Sequence, residues 1–184
     1  MQITNDYYLI VDLEATCSDD GTVPRGEMEI IEIGAVMQNS RTFEIDGEFQ
    51  TFVRPVRHPV LTQFCSELTG INQQAVSSAP VFPAALQALS RWNLGFGDAL
   101  FCSWGDYDRN QFQQDCEFHS VEYPFPTGHL NLKAQFALNL GLRRKFGIID
   151  ALRRVGLDFE GTHHRGLDDA RNIARLVRRV LIGA

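Results

Sequence analysis

The sequence predicts an α/β domain in which helices flank a mixed sheet of five strands. Two observations support this fold class. Three strand-like segments follow one another within the first 55 residues, and helix-like and strand-like segments alternate over the rest of the chain. Consecutive strands followed by alternating helices and strands are typical of layered α/β domains. The length of 184 residues, with 44% hydrophobic and 22% charged residues, fits a single domain over residues 1–184.

Apolar and β-branched residues predict the strands in order along the chain. The first strand is "YYLIVDL" at residues 7–13, and the second is "EIIEIGAVM" at residues 29–37. A turn around "QNS" leads into the third, at residues 41–55, so that these three strands form a meander. "DALFCSW" at residues 98–104 predicts the fourth strand, and the start of the segment 129–141 predicts a short fifth one.

Helical spacing of apolar residues predicts the remaining elements. Two short helical turns separated at Gly70 come first, and a helix with a proline near its start follows them. The last helix is long and amphipathic. The predicted helical segments are residues 61–80, 81–95, 108–119, 132–141, 147–156 and 166–183.

The N-terminus and the cysteines indicate the compartment. "MQITND" has no basic region, and no apolar run approaches the roughly 20 residues needed to cross a bilayer. We therefore expect a soluble, cytoplasmic protein that does not contact a membrane. The cysteines form no C-x-x-C pair, so neither a zinc site nor a disulfide framework is indicated. They are Cys17, Cys65, Cys102 and Cys116.

The charge is unevenly distributed. A net charge of −6 argues against tight sequence-independent binding to nucleic acid, because such binding depends on neutralising many phosphates. Residues 142–184, however, carry ten of the 17 Lys and Arg residues against five acids, a net +5, and the rest of the chain is −11. Both a solvated helix face and a phosphate-contacting surface explain this basic end.

Two carboxylates stand at the end of the first predicted strand. Asp12 and Glu14 are two positions apart, so in a strand they project from the same face while Leu13 points to the other. Like charges this close raise each other's pKa unless a cation lies between them, and their oxygens suit Mg²⁺ or Mn²⁺. The alternative is that the strand ends by Asp12 and that both acids are solvated loop residues.

Further acids follow the fourth strand. Asp106 and Asp108 lie between this strand and a helix, at the kind of strand end where α/β sheets bind ligands. The alternative role of Asp108 is to cap the helix that begins there.

A histidine and an aspartate lie around the start of the last helix. His164 and Asp169 are five residues apart, so on one continuous helix their side chains would point in directions about 140° apart. Gly166 allows a break between them, which would place His164 in a loop and Asp169 in the first helical turn, near its positive end. The alternative is that Asp168 and Asp169 only complement the helix dipole.

Three of these strings, in this order, carry a family resemblance. "VDLEAT", the aspartate in "WGDYD" and the H-x-x-x-x-D of "HRGLDD" resemble the three motifs of the DEDDh 3′→5′ exonucleases, which have the RNase H-like fold. "FCSELTGI" and "HRGLDDARNIA" are similar to the Eri-like branch, which includes a histone-mRNA 3′-end exonuclease. The resemblance extends from about residue 7 to residue 182.

The resemblance implies a role for each motif residue. Asp12, Glu14, Asp108 and Asp169 would be ligands of two Mg²⁺ or Mn²⁺ ions, and His164 would be the general base. Pairing His163 with Asp168 has the same spacing, but the family pattern H-x-G-x-D-D-A-x-N fits only His164 with Asp169, and the aromatic residue before it favours Asp108 over Asp106. Two metal ions suit phosphodiester hydrolysis, and a neutral histidine can take the proton of the attacking water.

Substrate contacts are predicted around the same motifs. The resemblance implies that Glu14, Ala15 and Thr16 approach the terminal sugar beside His164. Phe64, Leu68 and Tyr107 are candidates to flank the terminal base, because stacking on bases tolerates any sequence. The alternative for each of these three residues is a place in the core, and it is as good an explanation for Phe64 as stacking. Trp104 lies within a strand pattern and is predicted in the core. His58, His119, His129 and His163 are predicted at the surface, and Arg165 is a candidate phosphate contact.

Three functions remain open from the sequence. The first is a metal-dependent 3′→5′ exonuclease that releases nucleoside 5′-monophosphates from a 3′ end of single-stranded RNA or a short overhang. The second is a DNA-directed exonuclease of the proofreading kind, since nothing in the sequence reports a contact to the 2′-hydroxyl. The third is a non-catalytic nucleic-acid-binding module, against which the retention of all five polar residues argues. The oligomeric state is not predicted.

Overall fold

The computed structural model describes residues 5–126 and 128–182, and it confirms the predicted α/β class. Five strands form one mixed sheet in the order β3-β2-β1-β4-β5. The strands are β1 Tyr7–Ala15, β2 Ile30–Asn39, β3 Ile45–Phe52, β4 Ala99–Ser103 and β5 His129–Asn131. β1, β2 and β3 are an antiparallel meander, whereas β4 and β5 run parallel to β1.

Helices occur where helical spacing predicts them. They are α1 Gln63–Thr69, α2 Gln73–Ser77, α3 Phe82–Asn93, α4 Tyr107–Phe118, α5 Leu132–Asn139, α6 Ile148–Arg154 and α7 Gly166–Ile182. Gly70 separates α1 from α2 in the left-handed conformation, with φ of +67°, as the C-terminal cap of α1. No helix of residues 5–126 and 128–182 is both long and apolar enough to cross a membrane.

Several strand boundaries differ from the prediction, including the end of β3, which lies at Phe52 and not at residue 55. β1 continues to Ala15, so its end includes both acids. β3 begins at Ile45 rather than at residue 41, because the chain makes a turn first. In that turn the side-chain oxygen of Asn39 accepts hydrogen bonds from the backbone N–H groups of Arg41 and Thr42, and Phe43 has a φ of +62°.

The sheet is covered on both faces. Alternate residues of β1 enter two different cores: Tyr8 and Ile10 pack with α5, α6 and α7, whereas Leu9, Val11 and Leu13 pack with α3 and α4. Side chains alternate along a strand, so Asp12 and Glu14 project on the α7 side of the sheet.

Two glycines allow α7 to lie directly on this face. A Cβ atom on Gly34 of β2 would lie 2.0 Å from the carbonyl carbon of Gly166, and a Cβ on Gly166 would lie 2.9 Å from the backbone oxygen of Asp12. Only residues without a side chain fit such a backbone-to-backbone contact. The contact sets the first turn of α7 against the acidic end of β1.

Candidate active site

Three carboxylates converge at the end of β1. Asp12, Glu14 and Asp169 each offer one ligand oxygen, and these oxygens lie within 4.8 Å of one another. Glu14 and Asp169 are buried and Asp12 is half-buried. The acids therefore belong to the strand and to the first turn of α7, and the interpretation of Asp12 and Glu14 as solvated loop residues is wrong.

The break before α7 brings Asp169 into this cluster. His164 precedes the helix in the left-handed conformation, with φ of +63°, and α7 begins at Gly166. The Asp169 carboxylate accepts a hydrogen bond from the backbone N–H of His164 at 2.7 Å, and its other oxygen lies 2.8 Å from Nδ1 of His163. These contacts fix the orientation of the carboxylate. Asp168 points elsewhere and accepts a hydrogen bond from the Arg171 guanidinium.

The fourth acid reaches the site from α4. Asp108 is buried, and its Oδ1 accepts a hydrogen bond at 3.1 Å from the backbone N–H of Leu13, between the two acids of β1. The N-terminal cap residue of α4 is Asp106 and not Asp108. Asp106 lies at the surface instead, where it pairs with Arg109 at 3.3 Å. The structure thus brings Asp108 to the site and leaves Asp106 out of it.

A pocket of about 680 Å³ contains this acidic end. Its size is within the range of ligand sites. All five predicted catalytic residues line it, together with three of the predicted substrate contacts. These residues are Asp12, Glu14, Asp108, His164 and Asp169, with Ala15, Leu68 and Tyr107.

Burial and mutual repulsion make these acids hard to ionise. Burial and the charges of Asp108 and Asp169 raise the pKa of Asp12 well above its ordinary value. The pKa of Glu14 is raised to about 8 and that of Asp108 to about 6, in both cases mainly by burial. Burial also raises the pKa of Asp169, although the neighbouring His163 opposes this.

The donor set fits divalent cations. Four carboxylates with hard oxygen atoms suit Mg²⁺ or Mn²⁺, and a cation would remove the repulsion that raises the pKa of each acid. Asp12, Glu14 and Asp169 would share one ion directly, because their ligand oxygens are already close. Asp108 lines the same pocket outside this group of three.

His164 lies over the acids with its ring accessible. Its Nδ1 is 3.9 Å from Oε1 of Glu14, and its side chain is 40% exposed. Burial and then the neighbouring His163 lower its pKa, which favours the neutral imidazole. The two rings stack with centroids 4.0 Å apart. A neutral ring beside the acids is able to accept a proton in the pocket.

The predicted substrate contacts divide into two groups. Ala15, Leu68 and Tyr107 line the pocket, and Leu68 is 40% exposed there. Thr16 is buried instead, and its hydroxyl accepts a hydrogen bond from the backbone N–H of Glu29 at 2.9 Å. Phe64 is exposed on α1 but is not among the residues that line the pocket. For all five residues a role in substrate binding stays a prediction.

Trp104 is largely buried, as predicted. Its side chain packs in the α7-side core, and its indole N–H donates a hydrogen bond at 2.9 Å to the carbonyl oxygen of Phe146. The same residue also forms part of the pocket wall. It therefore fixes the segment before α6 against the site.

The surface prediction is wrong for His129, and for His163, whose side chain is 35% exposed, it misses a contact to the acidic cluster. His163 contacts the acidic cluster through Asp169, and the side chain of His129 is only 3% exposed and lies 2.9 Å from the Ser103 hydroxyl. No spacing in the sequence signals either contact. The only signal for His163 is its position directly before the motif residue His164.

Sequence patterns also missed Glu32. This carboxylate of β2 is fully buried, and it accepts hydrogen bonds from the Arg165 guanidinium at 3.2 Å and from the backbone N–H of Gly166 at 3.1 Å. Gln50 also donates to it. Glu32 thereby holds the turn between His164 and Asp169. Arg165, the candidate phosphate contact, is engaged by this buried acid.

Comparison with known proteins agrees with this site. A family model described as Exonuclease matches residues 9–177. Human ERI1 exoribonuclease 2 is 33% identical over 198 residues, which cover 96% of this chain and 28% of that protein. Human 3′-5′ exoribonuclease 1 is 35% identical over 185 residues, which cover 96% of this chain and 52% of that protein. The chain thus spans from about a quarter to about half the length of these curated relatives.

A solved structure has the same fold as this chain and covers nearly the same length. The nuclease domain of 3′hExo, a DEDDh family member bound to rAMP, matches with a TM-score of 0.90 and 33% identity. The match covers 100% of this chain and 96% of that one. The chain belongs to the exonuclease family and, within it, to the DEDDh group that the three acidic motifs predict.

Proposed function

We propose that this chain is a metal-dependent 3′→5′ exonuclease that shortens RNA from its 3′ end and releases nucleoside 5′-monophosphates. One observation carries the proposal: four acids from β1, α4 and α7 line a single pocket beside an accessible histidine. A structural cluster of acids would be ion-paired, but Asp12, Glu14 and Asp108 have no lysine or arginine partner among the described residues. Bringing them together without a cation raises their pKa values and costs stability.

The proposed cofactors are two Mg²⁺ or Mn²⁺ ions. Asp12, Glu14, Asp108 and Asp169 would hold them. Bound there, the ions would stabilise the charge that develops on the phosphate and on the leaving oxygen. His163 and the backbone N–H of His164 orient the Asp169 carboxylate in this arrangement. Such supporting contacts to metal ligands commonly affect metal affinity.

His164 is the proposed general base. Its ring lies at the pocket surface near Glu14, and its lowered pKa keeps the ring neutral at neutral pH. It would accept the proton of the water that attacks the terminal phosphodiester. The left-handed conformation of His164 turns the side chain toward the acids of β1 while its N–H bonds to Asp169.

The pocket walls provide a place for the terminal nucleotide. Leu68 and Tyr107 present an apolar side chain and an aromatic ring at the pocket, and Ala15 presents a small side chain next to Glu14. Apolar and aromatic surfaces of this kind hold bases independently of sequence. RNA is favoured because the curated relatives are named exoribonucleases and the similar 3′hExo nuclease domain is bound to rAMP.

Product analysis on labelled oligonucleotides tests the proposal. RNA and DNA of one sequence, labelled at the 5′ end, are incubated with Mg²⁺, Mn²⁺ or EDTA and resolved by length. We expect a 3′-shortening ladder that requires metal and is lost in Asp12→Asn but kept in Asp46→Asn, an exposed acid on β3. Faster shortening of DNA than of RNA would favour the proofreading kind of enzyme. If neither strand is shortened although metal binds normally, the exonuclease proposal is wrong for these substrates and a binding module is favoured.

A further inference from the structure

The basic end of the chain divides into two parts with different surroundings. The cations around α7 are mostly engaged: Arg165 pairs with Glu32, and Arg171 pairs with Glu48 and Asp168. For this part of the basic segment, ion pairing within the fold explains the charge.

A second group of cations surrounds Phe146 and has no such explanation. These residues are all exposed, and they are Arg143, Arg144, Lys145, Arg153 and Arg154. We call them the α6 basic surface. In the part of the chain that the structure describes, Arg153 alone of the five has a carboxylate partner, Asp150 at 4.0 Å, and both side chains of that pair are well exposed. Exposed pairs of this kind contribute little to stability.

Two guanidinium groups of this surface lie over one aromatic ring. The guanidinium carbon of Arg154 lies 4.0 Å from the centroid of Phe146, and that of Arg144 lies 4.8 Å from it. A cation–π interaction holds a guanidinium over the ring, and its N–H groups are still able to bind phosphate. Neither group donates a hydrogen bond to another residue of the described ranges, so the N–H groups of both arginines are available to a ligand.

The surface starts at the edge of the active-site pocket. Gly147 and Ile148, which follow Phe146 directly, line the pocket beside Trp104. The indole of Trp104 binds the carbonyl oxygen of Phe146 and fixes this junction. A strand of nucleic acid that leaves the pocket on this side would therefore meet Arg144 and Arg154 next.

We propose that the α6 basic surface binds the phosphodiester backbone of the substrate on the 5′ side of the terminal nucleotide. This inference rests on the proposed exonuclease function. The acidic pocket and the net charge of −6 repel a polyanion, so a local cluster of cations is needed to hold it. Only substrates long enough to extend out of the pocket would bind more tightly because of this surface.

The test compares a long and a short RNA with the same 3′ end. One has about 20 nucleotides and the other has three, which fit in or near the pocket. Rates are measured for the wild type and for Arg144→Ala/Arg154→Ala over a series of salt concentrations. The matched control is Arg41→Ala/Arg91→Ala, which removes two exposed cations, one in the β2–β3 turn and one on α3. Thermal denaturation verifies that all variants are folded.

We expect the KM for the long RNA to rise about fivefold or more in Arg144→Ala/Arg154→Ala, with kcat nearly unchanged. The slope of log KM against log salt should decrease by about 1.4, since each lost phosphate contact on a single strand contributes about 0.7. The short RNA and the control variant should show no change. Equal effects on both RNAs, or no effect on the long one, would overturn the proposal.

Fluorescence anisotropy tests RNA binding by the α6 basic surface independently of the exonuclease activity. Binding of the long RNA is measured in EDTA, which removes the divalent ions, so that the RNA is not hydrolysed during the measurement. Weaker binding by Arg144→Ala/Arg154→Ala than by the control supports the surface even if no RNA is degraded, and equal binding argues against it. Degradation of the short RNA by the wild type reports the exonuclease alone.

Discussion

At the scale of single residues, two neighbouring histidines have different positions at the site. His163 contacts the carboxylate of Asp169, and His164 presents its ring toward Glu14. Both have aspartates five residues further along the chain, so spacing alone does not separate them. The structure separates them because only Asp169 of the two aspartates faces the cluster.

Replacing each histidine should therefore give different kinetic results. His164→Ala removes the proposed base and should lower kcat by about 10² to 10⁴-fold with little change in the Mg²⁺ concentration for half-maximal activity. His163→Ala removes a contact to a metal ligand and should raise that Mg²⁺ concentration by about tenfold or more. Kinetics over a Mg²⁺ titration measure both quantities. The same response from both variants would contradict the assigned roles.

The two aspartates before and within α4 provide a second residue-scale prediction. Asp108→Asn should lower kcat by about 10³-fold, because a neutral amide binds a divalent ion less well than a carboxylate. Asp106→Asn should stay within about threefold of the wild type, since Asp106 contacts Arg109 and Asn131 outside the acidic cluster and its amide oxygen can still accept from Asn131. Steady-state rates on one RNA check this. A large loss of activity in Asp106→Asn would show that Asp106, and not Asp108, is the fourth metal ligand.

At the scale of elements, the acidic site depends on how α7 lies on the sheet. The backbone of Gly34 in β2 touches that of Gly166 at the helix start. Glu32, two residues before Gly34, binds the same turn through Gly166 and Arg165. One strand thus supplies both the space and the anchor for the turn that carries His164.

A methyl group on Gly34 should disturb this contact. Gly34→Ala would place Cβ 2.0 Å from backbone atoms, so α7 must shift. We expect a loss of about 3 kcal/mol in the free energy of unfolding, at the upper end for overpacking, together with reduced activity. Urea denaturation measures the first effect. Gly26→Ala is the control, because a Cβ there meets nothing within 4 Å. Equal stability of Gly34→Ala and the wild type would show that the contact is not tight.

At the scale of the whole molecule, the acidic site opposes folding when no metal is bound. Burial raises the pKa of Glu14 from 4.5 to about 8 and that of Asp108 from 3.8 to about 6. In this range the folded state holds more protons than the unfolded state, so stability must fall as pH rises. Between pH 5 and pH 8 these acids therefore act against the fold, in contrast to ion-paired carboxylates.

We expect the Tm in EDTA to fall as pH rises from about 5 to about 8, and Mg²⁺ to raise Tm more at the higher pH. Differential scanning fluorimetry measures both effects. The double variant Asp12→Asn/Glu14→Gln should show a smaller decrease with pH and little response to Mg²⁺. A Tm that increases with pH in EDTA, equally in the wild type and this variant, would show that other groups dominate.

The sequence by itself determined the elements and the main chemistry. Period-two and helical patterns are local, so they predict the strands and helices with errors only at ends such as the start of β3. The two-residue spacing of Asp12 and Glu14 places both on one face of β1 regardless of the rest of the fold. The three motifs in order predicted which acids and which histidine come together.

The tertiary structure decided everything that depends on distant parts of the chain. It engaged Arg165 with the buried Glu32, brought His163 to Asp169, and buried Thr16 while leaving Phe64 outside the pocket lining. It also divided the basic end into cations that are mostly ion-paired around α7 and a group near Phe146 in which, among the described residues, Arg153 alone has a carboxylate partner. Such contacts join residues far apart in sequence, and they are set by how the helices pack on the sheet, which no local pattern records.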